Sequence, residues 1–179
     1  MIISAIDFSM TSPAICVYDT STEIKFDNCI FYNISNIKKK PYRKNIHYTE
    51  MSFFKCDEER FDILSNWALE AMQINSCKNV IMEGYSFGSK SSRIFQIGEN
   101  GGVLKHKLYI NGISIKLIPP TEVKKHFNGK GNANKDGMID SLKTQENITL
   151  SSDSKSPTSD IVDAYAILKT GIWKGLYDV

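Results

Sequence analysis

The chain has 179 residues, 41% of them apolar and 23% charged, the balance of a globular protein large enough to bury its own core. A formal net charge of +2 is too small to mark a polyanion binder by itself, and no apolar run reaches membrane-spanning length. The N-terminus enters an apolar segment at once, so the expectation is a single cytoplasmic domain over residues 1–179, with no signal peptide and no membrane association.

The four cysteines, Cys16, Cys29, Cys56 and Cys77, are scattered without a CxxC pair and read as free thiols of a reducing compartment. His47, His106 and His126 are equally dispersed, which argues against a histidine-based zinc site. Basic residues cluster at Lys38, Lys39, Lys40, Arg43 and Lys44, and again at Lys124, Lys125, Lys130 and Lys135. Alone, each cluster reads as a solvated surface; both lie beside other signals that favour nucleic acid.

In chain order, Ile2, Ile3, Ala5 and Ile6 form a short apolar strand, and residues 14–18 resume the pattern as the second arm of a hairpin. Asp7 ends the first strand, where it either caps the turn or is paired, protonated or bound to a metal. Residues 23–33 read as a third strand, which gives three sequential antiparallel strands. Residues 35–55 form an irregular basic excursion whose aromatics, Tyr42, Tyr48, Phe53 and Phe54, either stack on bases or pack the loop onto the core.

Phe61, Leu64, Ala68, Ala71 and Met72 share one helical stripe, so residues 58–75 are expected to be an amphipathic helix. NVIMEGY, residues 79–85, is then a buried parallel-type strand with Glu83 at its C-terminal end, where α/β sheets carry their ligands. Gly84, Gly88 and the serines between 86 and 92 read as a flexible loop. A helix over 93–109 follows, weakened by Gly98, Gly101 and Gly102, whose use is close packing. Residues 113–118 form a further strand ended by Pro119 and Pro120, and Thr121 is expected to cap a helix through Phe127. NGKGNANK, residues 128–135, is a loop that leads into a helix ending near Asn147. Residues 151–159 read as a mobile polar loop, with Thr158 or Ser159 capping a last helix from Asp160 to about Lys174.

Asp7, Glu83, Asp160 and Asp163 stand out together. The i, i+3 spacing puts Asp160 and Asp163 on one helical face, among apolar residues that mark a packed helix. The plain alternative makes Asp160 a cap and Asp163 a surface acid. Converging carboxylates repel, and divalent cations relieve that; an oxygen-only donor set without His or Cys selects Mg²⁺ or Mn²⁺. Two such ions, roughly 4 Å apart, support phosphodiester hydrolysis.

An Asp-bearing strand and hairpin, the strand VIMEG and the helix SDIVDAYAILKTG resemble the RuvC-type Holliday junction resolvases of the ribonuclease-H-like superfamily. VKKHFNGKGNANK, residues 123–135, is similar to that family's basic segment, in which two lysines flank a GxG turn; here they match Lys124 and Lys135. The resemblance implies an α/β, ribonuclease-H-like fold: a mixed central sheet, three antiparallel strands then parallel ones, flanked by helices. It implies Asp7, Glu83, Asp160 and Asp163 as ligands of two Mg²⁺ or Mn²⁺ ions and as catalytic residues, with Lys124 and Lys135 acting on the scissile phosphate. The partner it implies is a four-way or branched DNA, cut with paired nicks by a homodimer joined through the helix at 93–109, with no organic cofactor. Lys38, Lys39, Lys40, Arg43, Lys124, Lys125, Lys130 and Lys135 are the expected DNA contacts. Richness in Ile, Lys and Asn fits a bacteriophage or viral member. The excursion at 35–55 and the serine-rich loop after Glu83 depart from the family pattern. The alternative is a general branched-DNA or RNA/DNA-hybrid nuclease of the same superfamily. Actin-like kinases share the opening but need two such domains.

Overall fold

The computed structural model describes residues 1–38, 40–85, 93–151 and 155–177. Apolar alternation at the N-terminus produces β1 (Ile2–Asp7), and a turn returns the chain antiparallel as β2 (Ala14–Asp19). A 3₁₀ turn at Phe26–Asn28 then leads into β3 (Cys29–Ile34), antiparallel to β2. Next come β4 (Ile46–Thr49), α1 (Asp57–Ile74), β5 (Asn79–Glu83), α2 (Ile94–Ile110), β6 (Ser114–Ile118), α3 (Pro120–Asn128), α4 (Lys135–Glu146) and α5 (Thr158–Trp173). The sheet order is β4-β3-β2-β1-β5-β6, with β4 parallel to β3, β5 parallel to β1, and β6 parallel to β5.

Period-two alternation sorts the sheet into two faces. Ile6, Ile15, Val17, Val80 and Met82 pack with Leu64, Trp67 and Met72 of α1 and with Leu104 and Leu108 of α2. Ile3, Ala5, Ala14, Cys16 and Ile81 pack on the opposite side with Ile161, Tyr165 and Leu168 of α5, Val123 and Phe127 of α3, and Leu142 of α4. Each such fully buried aliphatic side chain contributes about 1.5–3 kcal/mol. Helix α5 crosses the sheet closely: a Cβ on Gly171 would come within 2.4 Å of Ile81 Cδ1, so a larger residue there would have to displace that side chain.

One consequence of the alternation positions the site. On β1, residues 3 and 5 face α5, and so does Asp7; on β5, Ile81 and then Glu83 follow the same rule. The parallel register pairs Ile6 with Met82, which brings Asp7 and Glu83 to neighbouring strand ends on one face. A buried polar network fixes the turn beside Asp7: the Asn33 amide donates to Ser12 Oγ (3.0 Å) and to the Pro13 carbonyl (2.9 Å), and Ser35 donates to the Asn33 side-chain oxygen.

Several expectations need correction. The third strand starts at Cys29 rather than residue 23, because the 3₁₀ turn takes up the preceding residues. The excursion at 35–55 contains β4, whose few residues carry too little alternation to stand out. Thr121 is not the cap of α3: Pro119 occupies that position, and Pro120 begins the helix. Thr158 and Ser159 lie inside the first turn of α5, with Pro157 ahead of them. The glycines of α2 do not interrupt it. Gly101 packs against Tyr85, whereas a Cβ at Gly98 or Gly102 would meet nothing within 4 Å. Lys39, the loop residues 86–92 and residues 152–154 lie outside the described residues.

Candidate active site

Strand ends β1 and β5 and the first turns of α5 meet at one end of the sheet and bring the four acids named from the sequence together. Asp160 is buried at 5% exposure, and Asp7, Glu83 and Asp163 keep partial access to solvent. Those last three line a cleft of about 810 Å³ between the sheet edge, α2 and α3, with Phe8, Met82, Tyr85, Leu117 and Lys124 in its walls.

The electrostatics follow from this crowding. Burial, then the charges of Asp163, Asp160 and Glu83, push the Asp7 carboxyl well above its ordinary range, against the opposing pull of Lys135. Glu83 is raised to about 7 by burial and then by Asp163, with Lys124 pulling it down. Asp163 is raised to about 6 by burial and then by Asp160, with Lys135 and Lys124 opposing. Two lysines therefore stand close enough to act on this cluster, Lys124 from α3 and Lys135 from the start of α4.

Lys135 is tied in directly. Its ammonium donates to Ser159 Oγ at 3.0 Å and lies 3.9 Å from Asp160 Oδ1, and the Ser159 hydroxyl donates onward to that same oxygen at 3.4 Å. Ser159 was read from the sequence only as a cap; its location between a lysine and an acid has no local sequence signal. Among the described residues Asp160 Oδ2 has no hydrogen-bond partner, and it is buried, a costly state for a carboxylate oxygen.

These features fit a hard divalent cation. The donors are all oxygen, one buried oxygen lacks a partner, and the acids outnumber the lysines that face them. Among the described residues no three His, Cys, Asp or Glu side chains converge tightly enough to enclose one ion as they stand.

The other basic residues divide. Arg43 is committed to an ion pair with Asp27 and lies 5.8 Å from the Phe26 ring centre. Lys40 sits 5.4 Å from the ring of Tyr48, whose hydroxyl donates to the Pro41 carbonyl, so that aromatic packs the loop down. Phe54 is likewise covered, by Arg60. Tyr42 and Phe53 are exposed at 93% and 83%. Lys38, Lys125 and Lys130 are exposed, and Lys124 is half-buried. All four cysteines are free thiols. No described helix is long and apolar enough to cross a membrane.

Over 98% of this chain and 94% of the other, the structure superposes on Thermus thermophilus RuvC in complex with Holliday junction substrate, with a TM-score of 0.68 at 17% identity. The fold is that of RuvC, a ribonuclease-H-like fold. The same RuvC-like architecture is shared with the fowlpox virus resolvase, solved with substrate Holliday junction DNA, at a TM-score of 0.53 and 15% identity over 99% of this chain and all of that one. It is shared also with the yeast mitochondrial Holliday junction resolvase, at 0.55 and 13% identity over 94% of this chain and 76% of that one. In sequence, the chain is 32% identical over 89 residues to the crossover junction endodeoxyribonuclease RuvC of Brachyspira hyodysenteriae, a stretch that is 50% of this chain and 52% of that protein. The match thus spans about half the length of that RuvC relative. No family model matches the sequence.

Proposed function

We propose that this RuvC-like chain is a divalent-metal-dependent endonuclease that resolves four-way DNA junctions by paired, symmetric nicks. The observation that carries the reading is the meeting of Asp7, Glu83, Asp160 and Asp163 at one sheet end, with the carboxyls of Asp7, Glu83 and Asp163 raised and, among the described residues, no partner for the buried Asp160 Oδ2. The likeness to proteins solved with Holliday junctions gives the reading its substrate.

In this reading the four acids hold two Mg²⁺ or Mn²⁺ ions, which when bound supply charge neutralisation and polarisation of the scissile phosphate. The chain's own residues do the remainder. Asp7 and Glu83, on rigid strand ends, fix the site relative to the sheet, and Asp160 and Asp163 close it from α5. Lys135, oriented by Ser159, and Lys124 direct ammonium groups at the phosphate as negative charge builds on it. Lys38, Lys39, Lys40, Lys125 and Lys130 supply electrostatic attraction to the arms. Arg43 is the weakest of the expected DNA contacts, because Asp27 already holds it.

Two cuts in strands of like polarity require two sites, which a twofold homodimer provides. The outward face of α2 carries Phe95, Gly102, His106 and Tyr109, with Phe95 79% and Tyr109 77% exposed, and is the proposed contact. Gly102, rather than Gly101, is the residue free to permit close approach.

The test is a set of end-labelled substrates, a four-way junction, an RNA/DNA hybrid and a linear duplex, incubated with Mg²⁺ or with chelator. The expected result is nicking of the junction at symmetric positions, leaving 5′-phosphate ends that ligase reseals, and only with the metal. Preferential cutting of the hybrid would move the assignment to a hybrid nuclease, and equal cutting of all three to a general one.

A further inference from the structure

The cleft beside the acids contains a cation that neither the sequence motifs nor the proposed chemistry uses. Lys105, half-buried on α2, lines the same cleft as Asp7, Glu83 and Asp163. Among the described residues no carboxylate lies within ion-pair distance of it, whereas the half-buried cations Lys107, Lys169 and Arg60 are matched to Asp62, Glu146 and Asp57. Its only described hydrogen-bond partner is a phenol: the ammonium donates to Tyr85 Oη at 3.0 Å and lies 4.5 Å from that ring's centre.

Tyr85 is in turn built into place. Its hydroxyl donates to the Gly98 carbonyl at 3.2 Å, leaving its lone pairs to Lys105. Its ring end fits against Gly101, where a Cβ would lie 2.9 Å from the hydroxyl oxygen and 3.6 Å from the ring. A glycine on α2 thus makes room for a tyrosine whose hydroxyl orients a lysine. An ammonium group has three donors, of which the phenol accepts one. The other two remain for an anion that enters the cleft.

We infer that Lys105, oriented by Tyr85 and Gly101, is a phosphate-binding residue for the DNA strand that enters the acid-lined cleft. The inference rests on the nuclease reading for its ligand. The fixed acids repel a phosphodiester backbone, and a cation held on the facing wall offsets that repulsion without being neutralised by a local acid. Because Tyr85 follows Glu83 by two residues, the anchor and the acid site are registered through the same strand end. Lys105 is a substrate-binding residue, and Tyr85 a positioning one.

The experiment measures junction binding by the full-length protein in chelator, so that no cutting intervenes, as a function of salt. For Lys105→Met the log–log slope should fall by roughly one unit per site. Tyr85→Phe, which keeps the ring, should lose affinity but less of it, and Gly101→Ala should resemble the loss of Tyr85 although it presents no group to DNA. Neutral methylphosphonates placed one at a time near the cut should then reveal a phosphate whose neutralisation weakens the wild type and leaves Lys105→Met unaffected. An unchanged slope for Lys105→Met, or the absence of any such phosphate, overturns the inference. If Lys105→Met does not fold, Tyr85→Phe with the methylphosphonate series decides in its place. Failure of the wild type to cut a junction it binds would refute the proposed nuclease function while leaving the slope measurement decisive for Lys105.

Discussion

Two regions of this molecule bury carboxylates, and they treat them oppositely. Glu146, at the end of α4, accepts from the Tyr165 hydroxyl at 2.7 Å, from Lys169 at 3.0 Å and from the Phe26 amide at 3.3 Å. Burial alone would raise its pKa, but those three donors hold it below the ordinary range. At the sheet end, burial and then neighbouring acids raise Asp7, Glu83 and Asp163, and among the described residues Asp160 Oδ2 has no hydrogen-bond partner. Glu146 is complete within the chain. The sheet-end acids lack such a set of donors, and in the proposed function that is the difference between an acid that holds the fold together and acids that bind a ligand.

The largest expected effect breaks that contrast outright. Asp7→Asn, Glu83→Gln and Asp163→Asn should each depress junction cleavage by about a thousandfold or more while leaving binding intact or stronger, since each removes a ligand and a repulsive charge. Single-turnover cutting with saturating protein measures it; near wild-type rates for Asp7→Asn would end the assignment. Lys135→Ala and Lys124→Ala should slow the cutting of already bound DNA by about a hundredfold. Recovery of full rate at saturating protein would reduce them to binding residues.

The pH dependence sharpens the comparison through opposite signs. Groups whose folded pKa is raised favour the folded state when protonated, so their contribution is lost as pH rises. For Glu83, raised from 4.5 to about 7, the loss accrues between those values and amounts to about 3 kcal/mol. Without divalent metal, unfolding stability should therefore fall from pH 4 to 7 and recover in Glu83→Gln, as followed by denaturant titration. Glu146, whose pKa is depressed, contributes stability that is present above the ordinary glutamate range and lost as pH falls through its folded pKa. Glu146→Gln should accordingly destabilise the protein at neutral pH by about 1–2 kcal/mol and leave the cutting rate of folded enzyme unchanged. Smallest are the surface lysines: Lys38→Ala and Lys40→Ala should each lower the salt slope of binding by about one unit and leave stability alone.

Much of the sheet-end site could be read from the chain because each acid interrupts a pattern. Asp7 and Glu83 end apolar strands, and Asp160 and Asp163 share one helical face among the buried Ile161, Val162, Ala164 and Ile167. Periodicity also carried the long elements, α1 and β5 above all. The proposed roles of Ser159, Tyr85 and Lys105 have no local signature, since they depend on which helix lies opposite. For the same reason the ion pair of Arg43 with Asp27, in the β2–β3 connection, has no signature among the neighbouring lysines. Strand β4 has no sequence signature because four residues cannot display an alternation. Glu146 has no sequence signature either: its partners come from α5 and from the turn before β3.

In the proposed function, divalent cations complete the sheet-end acids. Thermal unfolding of the wild type and of Asp7→Asn at neutral pH, titrated with Mg²⁺ and compared with the Mg²⁺ dependence of junction cutting, tests it most directly. The predicted result is a rise in the wild-type midpoint over the same Mg²⁺ range that switches on cleavage, with Asp7→Asn more stable at the outset and unresponsive. A wild type that cuts junctions while its stability ignores Mg²⁺, or an Asp7→Asn that responds as fully as the wild type, would contradict it.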